Sequence, residues 1–584
     1  MPIRSHSRAW RTFAVTVLAV AVASCASLRS TPPPPSLPPL DTAASGSART
    51  YLSLADLRED GGDWAGAQAV VDKALAQQPA SHALLLRRAE LLLQRAEDED
   101  APELREQARA ILARCIEIGD AESRAASAWL DFDDGRRDDA LAAAHAAADA
   151  DPASPRVQRI LTHLLFRNGD YRGAKSAAER AVELAPRSGA ALRLRARTRV
   201  AVGDVSGGSA DAREVLRMHR DDPDSSAILA DTFLRQSDTR DAQSTLAGVP
   251  HERRNVRVRV SLARIELGVG HAEAGRALLE EAVASQPNDA QVHEALIALD
   301  IREGRPDDSI TRLAAAVAAR PADAALQRLQ GQALGAARRD DEAGASFARS
   351  LALDPNEIAT YRALVEWLRA RTQSNESERR AAELGLGAGP TLFAIGLLRE
   401  GQKDRSGARA HFQKALEADP NLAVARGALA ASLAANGEQL DLALTLAREA
   451  RAARPRDPEL ADTLGLVHLR RGQGSAALEV LGEAAGTQSV WSPGYAEALY
   501  HSAMAFEMIR EPESARRTVE VALAAAADRK PEPSWLANAR AILARSHPAP
   551  VAPRETQPPP TPDPTPAPTE ASNAEPAPRQ PRSR

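Results

Sequence analysis

Chemistry in this sequence has to be sought among arginines and aromatic rings. Between residues 129 and 264 stand Trp129, Phe132, Arg156, Arg159, His163, Phe166, Arg193, Arg257 and Arg264. Guanidinium groups grip carboxylates and other anions through paired, charge-assisted hydrogen bonds, and aromatic faces accept cations. Such a set suits an extended peptide or an anionic polymer, provided the fold turns it toward one wall. Basic charge is almost wholly arginine, with lysine only at Lys73, Lys175, Lys403, Lys414 and Lys530. Coding bias explains that first, and a demand for planar contacts second.

Catalytic signatures are missing. No Gly-Lys-Ser/Thr stands ready to cradle a phosphate. His293-Glu294-Ala295-Leu296-Ile297 opens like a zincin motif, but Ile297 occupies the place of the second histidine, so a zinc ion would lose a ligand. Gly268-Val269-Gly270 resembles the start of a dinucleotide loop without a strand before it. No Gly-x-Ser-x-Gly elbow occurs. The histidines are scattered without ligand spacing, so no metal, no cofactor and no enzymatic activity are expected. There are two cysteines, Cys25 and Cys115. Cys115 reads as a packing residue.

The elements that must position the arginines follow from a period. Pro287, Pro321 and Pro355 stand 34 residues apart. Within the last interval, Ala324–Ala337 and Asp341–Leu353 read as two amphipathic helices around a polar turn at Arg338-Arg339-Asp340. Ala343, Phe347 and Ser350 recur on one face of the second. Proline then stops the helix, because it lacks an N–H donor and pushes the preceding residue out of the helical region.

A 34-residue unit with Gly331, Leu334, Ala343, Phe347 and Pro355 at these places resembles the tetratricopeptide (TPR) repeat. Related units end at Pro79, Pro152, Pro186, Pro420 and Pro455, and the frame is least regular near 189–254 and at Thr372–Ser377. About 14 hairpins fit between residues 48 and 546, with a capping helix from Ser534. The resemblance implies an all-α TPR solenoid, a right-handed superhelix whose inner wall is built by the first helix of each unit. In that frame Trp129, Arg156, Arg159, His163, Arg193, Arg257 and Arg264 line a concave groove for partners. A shift of one residue would instead place the rings in the core and the arginines on a solvated face. The clamp by which chaperone-binding members hold a C-terminal carboxylate is not matched, since Leu52 and Asp56 occupy its lysine and asparagine places.

Composition agrees with stacked hairpins: the chain is 44% apolar but only 3% aromatic, which suits closely crossing helices with small contact residues. A formal net charge of −5 leaves no overall positive field to draw nucleic acid. The run Glu97-Asp98-Glu99-Asp100 reads as a solvated inter-helix loop.

Outside the repeats the composition changes. Arg4, Arg8 and Arg11 precede an apolar run at Thr12–Ala23, too short to span a bilayer comfortably, which ends in Val22-Ala23-Ser24-Cys25. This resembles a bacterial lipobox. The resemblance implies a signal peptide over 1–25, acylation of Cys25 and, with Ala26 following, residence at the periplasmic face of the outer membrane. Residues 26–47, with four consecutive prolines, read as a tether, and the proline-rich 547–584 tail reads as disordered. The Asp462-Thr463-Leu464-Gly465 repeat resembles TPR lipoproteins associated with exosortase (PEP-CTERM) and exopolysaccharide systems. The expectation is a scaffold for protein partners in envelope assembly, secretion or exopolysaccharide export, with an anionic polysaccharide as a further ligand. An activator of a cell-wall enzyme is the second reading.

Overall fold

The computed structural model describes residues 40–41, 45–99, 101–371, 374–527 and 532–546. The 1–25 leader with Cys25, most of the 26–47 tether and the 547–584 tail lie outside the described residues. Among the described residues there are 29 α-helices and no strand. They pair in chain order into 14 hairpins, from Gly46–Asp60 with Trp64–Gln77 to Pro493–Met508 with Pro512–Ala526, and Leu536–Ser546 covers the end. The all-α TPR solenoid expected from the spacing is the fold.

Each hairpin is set by its corner. Gly169 and Gly203 end first helices with φ of 87°, a left-handed turn that costs glycine nothing. Arg338 and Lys403 hold the same corner at φ 63° and 65°, where a side chain is strained. An aspartate then caps the second helix: Asp170, Asp204 and Asp404 each accept the N–H of the glycine three residues on, at 2.9 Å. A Cβ on Gly407 would lie 2.0 Å from the Asp404 carboxylate as placed, whereas Asp238 makes the same cap to the N–H of Asp241 at 3.0 Å.

The small positions have the reason the repeat pattern implies. A Cβ on Gly331 would lie 2.9 Å from the ring of Phe347, and one on Gly396 would lie 2.5 Å from Phe412. Both rings are fully buried. Apolar packing is unevenly distributed along the array. One continuous core runs from Ala48 to Ala177 and another from Leu334 to Val467, while residues between Ala227 and Ala333 form three small separate clusters. Cys115 is buried in the first core.

Three local expectations change. The first helix begins at Gly46, and the segment before it is tied down: Asp41 N–H donates to the Ala80 carbonyl at 2.7 Å, and Leu40 packs on the core. The acidic run does not form a free loop. The helix His82–Asp98 continues through Glu97 and Asp98, and Glu97 is bound by His163 at 2.9 Å. The fifth unit is regular, Gly189–Ala201 with Val205–Met218, because Gly208 lets the two helices meet where a Cβ would lie 2.6 Å from Val200. The sixth is short as expected, its second helix ending after nine residues.

Candidate functional site: the concave groove

The first helices of units 1, 2, 4 and 5 converge on one buried charge network. Arg87 is 1% exposed and bonds Glu59, with Glu90 at 3.0 Å and Asp56 at 3.2 Å. Across the groove, Arg159 reaches Glu59 at 3.1 Å and Arg156 reaches Asp56 at 3.3 Å. Arg193 donates to the carbonyls of Glu59 and Asp60 at 2.7 and 2.8 Å and to Asp222 at 3.1 Å. The Asp60 carboxylate in turn accepts from Ser188 Oγ and Ala190 N–H, both at 3.0 Å, and caps the helix Gly189–Ala201. The arginines of units 4 and 5 therefore hold the negative C-terminal end of the first helix.

Electrostatics follow from this arrangement. Burial alone would raise the Glu59 carboxyl, but Arg159, Arg87 and Arg193 outweigh it and hold it at about 2. Glu90 is pushed the other way by burial, in spite of Arg156 and Arg87, and its Oε1 is buried without a hydrogen bond. Between the first helix and the loop at 185–188 a cleft of about 460 Å³ remains, lined by Asp56, Asp60, Arg156, Arg159, Arg187 and Ser188 among others. Arg187 is exposed there.

The remaining sequence-derived residues spread along the wall. Trp129 is buried against His163, ring centroids 4.4 Å apart, with its Nε1 unpartnered. His163 and then Arg167 hold Glu97 at about 2 against burial. Arg257 is exposed and faces Arg197, whose guanidinium is drawn down to about 10 by burial and then by Arg257. Arg264 donates to Ser489 Oγ at 3.1 Å and lies over the Trp491 ring at 5.1 Å. Arg156, Arg159 and Arg193 are thus brought together, Trp129 and His163 form a second patch, and Arg257 and Arg264 stand apart.

Sequence reasoning missed the acids opposite. Asp56–Arg156 and Glu59–Arg159 are each 100 residues apart, close to three repeat lengths. The same interval recurs in the second half, where Arg454 bonds Asp354 at 2.6 Å. Nearby, Arg362 bonds Glu459, whose carboxyl burial pushes up to about 7 in spite of that arginine. The matched i, i+3 spacing of Asp56/Glu59 and Arg156/Arg159 was the available signal.

The tetratricopeptide repeat family model matches residues 295–358 and 463–530. Over those two stretches the chain is similar to tetratricopeptide-repeat proteins. No curated protein matches it in sequence. Among solved structures, the APC/C hetero-tetramer Cut9–Hcn1 is similar at 12% identity, covering 79% of this chain and 96% of that one with a TM-score of 0.30. A tetratricopeptide repeat protein from Parabacteroides merdae is similar at 16% identity over 42% of this chain and 96% of its own, TM-score 0.33. The Naa15/Naa10 complex bound to HypK-THB gives 14% identity, 85% and 78% coverage and a TM-score of 0.25. Among the described residues, no group of three or more His, Cys, Asp and Glu side chains could hold a metal ion. No described helix is long and apolar enough to cross a membrane.

Proposed function

We propose that the chain is a non-catalytic scaffold, anchored through an acylated Cys25 at the periplasmic face of the outer membrane. It gathers protein partners in an envelope assembly, secretion or exopolysaccharide-export system. Tandem TPR hairpins build extended surfaces of the kind protein partners use. The observation that supports the groove as the binding face is its self-filling by an acidic helix end. Arg87, Arg156, Arg159 and Arg193 together donate to carboxylates and backbone carbonyls, which are the groups an acidic peptide segment presents. Arg187 and Arg257 are exposed and have no carboxylate within ion-pair distance among the described residues, so they are the positions left to receive it.

The test is cross-linking and recovery from solubilised envelopes with Arg187→Glu and Arg257→Glu. Both side chains lie outside the buried network, so folding is preserved and partner recovery falls. Undiminished recovery removes the groove from consideration. Cys25→Ala moves the protein to the soluble fraction, and continued sedimentation with membranes would refute the anchor. Recovery of a peptidoglycan enzyme whose rate the protein changes would replace scaffolding by regulation.

A further inference from the structure

Two stretches far apart in sequence meet edge to edge. The corner at Gly203 lies against the helix Gly474–Gly486, so closely that a Cβ on Gly482 would lie 2.8 Å from the Val202 carbonyl and one on Gly486 would lie 2.2 Å from the Val200 carbonyl. Arg235, 8% exposed, donates to the last carbonyls of that helix and the loop after it: Ala485 at 2.8 Å, Gly486 at 3.2 Å and Gln488 at 2.8 Å. Arg172 bonds Glu479 at 2.9 Å and Glu483 at 3.0 Å, and Arg264 adds its bond to Ser489.

The contact is made by charged side chains on carboxylates, carbonyls and two ring faces, with Arg235 over Tyr495 at 5.2 Å and Arg264 over Trp491 at 5.1 Å. None of the apolar clusters among the described residues includes residues from both sides of it. The chain joining the two sides passes through the stretch where the core is broken. Residues 256–333 are held by three small clusters, two of aliphatic side chains and alanine without a ring and a third, shared with the preceding unit, that holds the single ring of Phe233. A joint made of charge-assisted bonds, closing over a weakly packed connector, separates at little cost in buried apolar area.

We infer that this joint is a reversible latch: Arg172, Arg235 and the glycine edge hold residues 172–264 against residues 474–489, and the molecule opens about residues 256–333. Opening parts these two stretches. The inference stands whatever the partner is, because it concerns the chain alone.

Small-angle scattering of the full-length chain tests it. Raising salt from about 0.01 M to about 1 M shortens the screening length from about 30 Å to about 3 Å, and the maximum dimension increases as the exposed Arg172 pairs weaken. Arg235→Ala and Gly486→Leu give the longer dimension already at low salt, with helix content by circular dichroism unchanged. Arg172→Glu also opens the molecule, and Glu479→Arg in the same chain closes it again. Should Gly486→Leu lose helicity, Arg235→Ala decides the matter. Identical distance distributions for wild type, Arg235→Ala and Arg172→Glu at every salt concentration would overturn the latch.

Discussion

The first and second halves of the array cross their own groove at the same 100-residue interval, yet they are consolidated by different means. In the first half the crossing is a buried ion network around Arg87, Glu59 and Arg159. In the second, ion pairs sit near the rim while the interior is a chain of rings, Tyr361 against Phe393 at 4.8 Å and Phe393 against Phe412 at 5.5 Å. Both halves have a continuous apolar core, and they differ in what stands between the two ends of the crossing. The difference lies in how each half responds to solution conditions.

The sharpest way to break the first half is Arg87→Ala. It strands Glu59 and Glu90 without their shared cation in a buried site, at ~3–5 kcal/mol, read as a lowered urea midpoint. Phe412→Ala should cost the second half a comparable ~3–5 kcal/mol through a cavity. The two losses are told apart by salt and pH, to which the ring cavity is indifferent.

Acid sharpens the comparison further. Glu59 titrates at about 2 in the fold and near 4.5 when unfolded, so its contribution is complete above pH 4.5 and is lost as pH falls toward 2. Glu59→Gln should therefore cost on the order of 3 kcal/mol at pH 7 and nothing near pH 2. Glu459 has the opposite sign. Its carboxyl is raised to about 7, so the fold takes up a proton more readily than the unfolded chain, and stability falls as pH climbs from about 4.5 to about 7. Glu459→Gln flattens that decline. Denaturation curves across pH 2–8 check both, and equal pH dependence of the two variants would dissolve the distinction.

The smallest effect belongs to the corners. Lys403→Gly relieves a left-handed side chain and should stabilise by about 1 kcal/mol. The midpoint of thermal unfolding rises accordingly, and no change would mean the corner is unstrained.

The fold was legible because the repeat is local: Gly331, Phe347 and Pro355 declare one hairpin, and the next repeats them. Groove chemistry was half legible. Arg156, Arg159 and Arg193 were visible as a set, but their counter-ions Asp56, Glu59 and Asp222 lie on other repeats, and only the matched i, i+3 spacing of Asp56/Glu59 and Arg156/Arg159 signals the pairing. Helix period cannot report what stands across a curved groove. The acidic run at Glu97 was misread for the same reason, since its partners His163 and Arg167 are two units away.

The three-unit crossing also limits how such a gene can grow. Duplicating a hairpin anywhere between Asp56 and Arg159, or between Asp354 and Arg454, would carry one side of each ion pair a full unit past its mate. Copies added before the first hairpin or after the last leave every crossing intact. Lengthening by duplication is therefore tolerated at the termini and penalised inside either half.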